Sequence, residues 1–379
     1  MFSYLFSQDP GVINYLAFLI TSMAIYALMG LGLNLQWGFT GLINFGLAGF
    51  MAIGAYVAVI LSLLKLPLIL AAIAGGLLAA LFGLFLGFST LRLREDYLAI
   101  VTIGSSELIR LIVNNEKIWD GREGARGITL FPLPLEAFRP ALVTRWGMIA
   151  VMTVIFGLAL WKLWQWLQRK LKAATEQRKL WFSAIALVTA LVGLRIYGVT
   201  ALSLYHFRDN QVVNGLLFCT IVVLALAFLT LETLVRSPWG RVLKSIREDE
   251  QIAKALGKNV FSYKLQSLML GGFFSGIAGA FLAWQQTSLY PDTFKSDLTF
   301  NIWILMVLGG AGSNPGIVLG AAIFWMYTAL TRDLNKVLPL PTEQIDAFRM
   351  VFIGLLLILL MVWRPQGILG NKDELTLGK

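Results

Sequence analysis

Glu107 and Arg110 stand three residues apart inside an otherwise apolar stretch. That spacing puts them on one helical face, where they can pair. Charges at membrane depth are costly and tend to face a bundle interior, a partner or a water-filled path. The pair therefore reads as a self-satisfied contact, as side chains snorkelling near a span end, or as an ion or proton site with Glu107 as its acid. Neutral polar residues are scattered through the other apolar runs: Asn34, Thr40, Asn44, Thr102, Ser105, Asn301 and Asn314. Each can hydrogen-bond a polar solute or join neighbouring helices. Asn44, Thr102, Ser105, Glu107, Asn301, Ser313 and Asn314 are the candidates for lining a polar path.

Other chemistry is poorly supplied. The chain has one His, His206, and one Cys, Cys219. Those two give no metal-ligand cluster, no disulfide framework and no nucleophile–base set, so no catalytic residues, metal ligands or cofactor are expected in this chain. The Gly257–Lys258 pair is followed by Asn, and no upstream glycine sits at phosphate-loop spacing. If ATP is used, the ATPase is another polypeptide.

The elements that must position these residues are membrane spans. Of 379 residues, 58% are hydrophobic and 14% charged, whereas soluble domains are about half apolar and about a quarter charged. Apolar runs are read at 15–35, 42–64, 68–90, 97–113, 147–167, 181–200, 211–233, 264–284, 299–330 and 348–363. That is an all-α, polytopic helical bundle of about 8–11 transmembrane segments, forming one transmembrane domain over 1–379. The net charge of +10 lies in loops beside the spans, where it sets topology rather than binding nucleic acid. The N-terminal residues lack the basic region of a cleaved signal peptide, so the first run is expected to be a retained span.

Basic loops at 92–96, 169–179 and 234–264, with the basic tail, belong on one side; 114–146 is the long loop opposite. Parity then requires 299–330 to enter and leave on one side, and it is interrupted by GGAGSNPG at 309–316. Gly and Pro do not continue a helix cheaply, so two half-helices joined by a re-entrant turn are expected. Two short spans with an ordinary turn are the alternative. A similar interruption, QWGFTGLINFGLAG at 36–49, lies in the first half. Gly-interrupted segments in both halves of a membrane chain point to a transport site.

The segment SPWGRVLKSIREDEQIAKALG at 237–257 is not built like a plain connector. Asp249 and Glu250 begin a short helical pattern, Ile252, Ala255 and Leu256 share a face, Lys254 is near its end, and Gly257 is placed to stop it. A short amphipathic helix at the membrane surface usually docks onto something; the plainer reading is a basic loop that only orients the chain.

Several stretches together resemble the branched-chain amino-acid ABC permease family, in its LivM-type subunit. They are LNLQWGFTGLINFGLAGFMAIGAY (33–56), LRLREDYLAIVTIGSSELIRLIVNN (91–115), SPWGRVLKSIREDEQIAKALGKN (237–259), VLGGAGSNPGIVLGA (307–321) and WRPQGILG (363–370). The resemblance implies a multi-pass subunit of the bacterial plasma (inner) membrane. Its partners would be a second, LivH-like permease, two ATP-binding subunits and a periplasmic solute-binding protein. It also implies that 237–257 carries the importer coupling helix, with Glu248, Asp249, Glu250, Ala253, Ala255, Leu256 and Gly257 as its candidates. The chain departs from the family at 120–128, DGREGARGI, where a proline-containing run is usual, and 129–210 carries no transferable motif.

The leading expectation is a permease for branched-chain or other neutral amino acids. A urea or short-chain amide permease of the same family is the sister reading. An ion-coupled secondary transporter using Glu107, or a non-transporting membrane scaffold, is the rival of a different class.

Overall fold

The computed structural model describes residues 10–91, 95–119, 122–123, 127–172, 176–333 and 367–370, with isolated positions between 344 and 362. Residues 1–9, part of the basic loops at 92–96 and 169–179, and half of the span expected at 348–363 lie outside these residues. Among the described residues twelve α-helices follow one another: α1 Pro10–Leu33, α2 Leu47–Leu63, α3 Leu68–Thr90, α4 Glu95–Asn115, α5 Leu142–Lys172, α6 Glu176–Tyr205, α7 Gln211–Arg236, α8 Pro238–Glu248, α9 Glu250–Ala255, α10 Val260–Gln286, α11 Ser296–Gly309 and α12 Asn314–Asp333. α1 runs on into a π-helical stretch, Asn34–Phe39. Among the described residues six helices are long and apolar enough to cross a membrane. The chain is therefore a polytopic helical bundle, as its composition requires.

Several helices outrun their apolar windows. α5 has 31 residues, about 46 Å at 1.5 Å per residue, against about 30 Å of hydrocarbon. Polar residues continue a helix once packing has nucleated it, so the expected 147–167 and 181–200 spans are only the apolar parts of longer helices. The expected 42–64 span is corrected in the other direction. Its first residues are not helical, because their backbone groups bond to side chains instead: Phe45 N–H to Thr102 Oγ1 at 3.2 Å and Gly46 N–H to Asn44 Oδ1 at 2.8 Å.

The chain divides into two compact units. The smaller comprises 2–21 and 134–225. Its core gathers Ala17, Met152, Leu204, Phe207 and Leu217, and Arg145 Nη1 donates to the Tyr205 carbonyl at 2.9 Å across it.

The larger unit comprises 22–133 and 226–379. At its centre α2 and α3 pack on α10 through glycines. A Cβ at Gly54 would lie 2.1 Å from the Gly276 carbonyl oxygen, and one at Gly279 would lie 2.1 Å from that of Met51. Small residues let apolar helices approach backbone to backbone, where dispersion and not the hydrophobic effect drives association. The pairings also fix direction. Gly76 meets Ile277 and Gly87 meets Leu265, so α3 is antiparallel to α10; Phe50 meets Gly272 and Gly54 meets Gly276, so α2 is parallel to it. α1 and α2 are thus the two arms of a hairpin whose tip is the irregular stretch 40–46. α11 and α12 are bent by 116° at a short break, a second hairpin. The interruption expected at 309–316 is there, with its non-helical residues at 310–313. A two-residue strand pair, β1 Ile128–Thr129 with β2 Ser288–Leu289, joins the loop after α4 to the end of α10.

Candidate functional site

The carbonyls of Leu35 to Gly38, at the end of the π-helical stretch, are all taken. Leu35 O accepts from Thr40 Oγ1 at 2.9 Å and from Ser267 Oγ at 3.1 Å. Gln36 O accepts from Leu42 N–H, and Trp37 O from Gly41 N–H. Gly38 O accepts from the Arg247 guanidinium of α8. A helix end leaves such carbonyls without intrahelical partners, and a cation is favoured there. Arg247 is also packed on Gly41, whose φ of +83° favours glycine; a Cβ there would meet Arg247 Cγ at 3.3 Å. Lys244, one turn earlier on α8, lies 5.6 Å from the centre of the Phe39 ring.

The two tips touch. Asn34 Nδ2 donates to Asn314 Oδ1 at 2.9 Å, and Gly312 N–H donates to Asn34 Oδ1 at 2.8 Å. Asn314 Nδ2 donates in turn to Glu232 Oε2 at 3.0 Å. Glu232 sits in the last turn of α7 and also holds Arg236. Gln36 and Asn44 share a bond of 2.9 Å, Trp303 Nε1 donates to the Asn44 carbonyl at 3.1 Å, and Ala48 N–H donates to Thr299 Oγ1 at 3.0 Å. At the second tip, Ile368 N–H and Leu369 N–H donate to the carbonyls of Leu308 and Gly309. The end of the WRPQGILG motif thus caps α11 where it breaks. Trp37, Phe45, Phe300 and Trp303 form a run of adjoining rings beside these contacts.

The residues singled out from sequence fall into distinct places. Asn44, Thr102 and Asn314 are buried and bonded within the hairpins. Ser313 Oγ accepts from Gly316 N–H at 3.2 Å. Ser105 and Asn301 are half-buried on α4 and α11. Glu107 lies well away on the outer half of α4, beyond the hairpin contacts at Thr102, and pairs with Arg110 at 3.0 Å. Arg110 also reaches Asp292 at 2.8 Å, in the turn after α10. In the first half it is Asn34 that meets Asn314, while Asn44 bonds Gln36.

The 237–257 segment holds two helices where one was expected. α8 is amphipathic, with Gly240, Leu243 and Ile246 buried; Glu248 is its last residue. Asp249 caps α9, its side chain accepting from Gln251 N–H at 2.8 Å and Ile252 N–H at 3.0 Å. Gly257 has φ +74°, with Gly257 N–H bonded to Lys254 O and Lys258 N–H to Ala253 O, the glycine stop foreseen for this helix. Ala253 points inward, in a cluster with Ile246 and Val260. Ala255 is exposed, as are Ile252 and Leu256 at 60% and 70%. Glu250 is latched to its own chain by Lys264 Nζ at 2.6 Å and Lys254 Nζ at 2.7 Å. Partial burial pushes the Glu250 carboxyl upward, but the hydrogen bonds and charge of the two lysines outweigh this and hold it below the usual carboxylate range.

The segment thus carries an exposed apolar strip on the capped, latched α9, and α8 beside it is bonded to the first hairpin through Arg247. A family profile described as "Branched-chain amino acid transport system / permease component" matches residues 15–361. The chain belongs to that permease family. It is 31% identical to the high-affinity branched-chain amino acid permease LivM of Escherichia coli, over 92% of this chain and 68% of that one. It is 25% identical to the probable LivM of Methanocaldococcus jannaschii, over 96% of each. The nucleoside permease NupC of Lactococcus lactis is 23% identical over 84% of each chain. No solved structure matches it. The chain is thus a multi-pass membrane permease component.

Glu232, Gln36, Arg247 and Lys264 were not singled out by their types. One signal for Glu232 was available: a lone acid in an apolar run, four residues before Arg236, at helical pairing distance.

Proposed function

We propose that this chain is the LivM-type membrane subunit of an ATP-binding cassette importer for branched-chain or other neutral amino acids. It works beside a LivH-like permease in the bacterial inner membrane. Two ATP-binding subunits dock on α8 and α9, and a periplasmic binding protein delivers the solute. The observation that carries this is the 237–257 segment, a capped surface helix with Ile252, Ala255 and Leu256 outward, joined to α8, whose Arg247 bonds the first hairpin. A region of a LivH permease from Salmonella typhimurium, 30% identical over 40% of this chain, supports pairing with a related subunit.

The solute class rests on the relatives and on chemistry. The relatives named for branched-chain amino acids are more similar than the nucleoside permease, and the rings at Trp37, Phe45, Phe300 and Trp303 suit an apolar side chain. Glu107 is neutralised by Arg110, which argues against an ion-coupled mechanism built on that carboxylate. The test is uptake into proteoliposomes holding the whole complex, with ATP inside and the binding protein outside. ATP without an ion gradient should drive leucine or valine uptake, competed by neither uridine nor urea. Uptake that needs an ion gradient and no ATP would sink the reading; competition by uridine or urea would reassign the solute.

A further inference from the structure

We propose that Arg247 and Glu232 are positioning residues that fasten the docking helices to the two hairpin tips, so that movement of the docking helices is delivered to the Asn34–Asn314 contact. This rests on the reading of α8 and α9 as the ATPase docking segment.

The bonds close a circuit. Arg247, in the last turn of α8, holds Gly38 O at the first tip. Glu232, in the last turn of α7, holds Asn314 at the first residue of the second tip's outgoing helix. The tips hold each other through Asn34, Asn314 and Gly312. α7 and α8 are separated by Ser237 alone, and Pro238 at the first helical position fixes that junction. Every link is a helical turn or a hydrogen bond, with no long flexible stretch to absorb a displacement. The Glu232 side chain is only 14% exposed, so its bonds are less screened than surface pairs. At the Gly38 end, the absence of a side chain is itself required: a Cβ would lie 2.6 Å from Gly312 N. The position that presents its carbonyl to Arg247 is therefore also the point where the two tips are in backbone contact. Asn314 acts similarly, taking Glu232 with its amide nitrogen and Asn34 with its amide oxygen.

A merely structural pair would lower stability and leave the stoichiometry of transport alone. The experiment reads solute moved per ATP hydrolysed by the whole complex in proteoliposomes, with its binding protein. R247A should still associate with the ATPase and hydrolyse ATP, while uptake per ATP falls about tenfold, the size of one lost charge-assisted hydrogen bond. R247K, which keeps a donor, should recover part of it. In a Cys219→Ser background, a cysteine introduced at Ser313 should change its thiol reactivity between nucleotide states with Arg247 present and lose that dependence in R247A. Unchanged uptake per ATP in R247A overturns the proposal. Should R247A not assemble, E232A reads the same ratio from outside α8 and α9. A fall there, with E232Q near the parent because its carbonyl still accepts from Asn314, supports the link; an unchanged ratio overturns it. Failure of the ABC reading itself looks different: the unsubstituted complex would show no ATP-driven uptake.

Discussion

Asn34 and Asn314 are 280 positions apart in sequence and share a 2.9 Å hydrogen bond between two breaks in the helical frame. Each amide also takes a second partner, Gly312 N–H for Asn34 and Glu232 for Asn314. Irregular backbone at membrane depth is tolerated when protein groups satisfy it. Each break therefore supplies part of what the other needs.

Asn34→Ala strips partners from Asn314 and from Gly312 N–H together. We expect it to destabilise the purified protein by about 1–3 kcal/mol, the cost of leaving buried polar groups unpaired. The Asn34→Ala/Asn314→Ala double variant should lose less than the sum of the single losses, since both remove one interaction. Thermal unfolding in detergent measures this; strict additivity would show the two sites to be independent.

Gly54→Ala drives a methyl group to within 2.1 Å of the Gly276 carbonyl oxygen. Overpacking of this kind costs about 1–3 kcal/mol or more, and we expect poor membrane yield and a lowered Tm. Gly157→Ala has open space around it and should be neutral or stabilising by up to about 1 kcal/mol. Equal behaviour of the two variants would contradict the close crossing of α2 and α10.

Ala253 and Ala255 should part company. A bulky residue at Ala253 enters the cluster of Ile246 and Val260 and should loosen the whole segment, read as faster proteolysis of the 237–257 region. At exposed Ala255 the same residue should leave proteolysis unchanged and weaken ATPase association in pull-down. Loss of association at neither position would remove the docking assignment.

The Glu250 latch has a defined pH range. Its folded pKa is below its ordinary value of 4.5, so its contribution is complete above that value and is lost as pH falls through the lowered one. Protection of the segment from proteolysis should be flat through neutral pH and fall only in acid. Glu250→Gln should reduce protection at neutral pH, match the parent in acid, and so flatten the acid fall. A fall in protection near pH 7 that Glu250→Gln abolishes would refute this assignment.

The sequence by itself determined the membrane class, the position of the second break and the caps of α9, because these depend on local quantities. Apolar run length sets the spans, Gly and Pro at 309–316 interrupt a helix wherever it lies, and Asp249 and Gly257 act on neighbours within a few residues. The resemblance carried by 33–56, 237–259 and 307–321 likewise named the family before any geometry. Only the tertiary structure decided what the polar residues touch. Asn34 and Asn44 look alike in sequence, yet one crosses to Asn314 and the other turns back to Gln36. Ala253 and Ala255 lie on opposite faces of α9 by its helical period, but packing against Ile246 of α8 and Val260 decides that Ala253 is the inward one. Arg247 reads as one more topology-setting base until the end of the first hairpin places an unpaired carbonyl against it. Hydrogen bonds between distant segments are set by helix direction and depth, and no spacing along the chain encodes those.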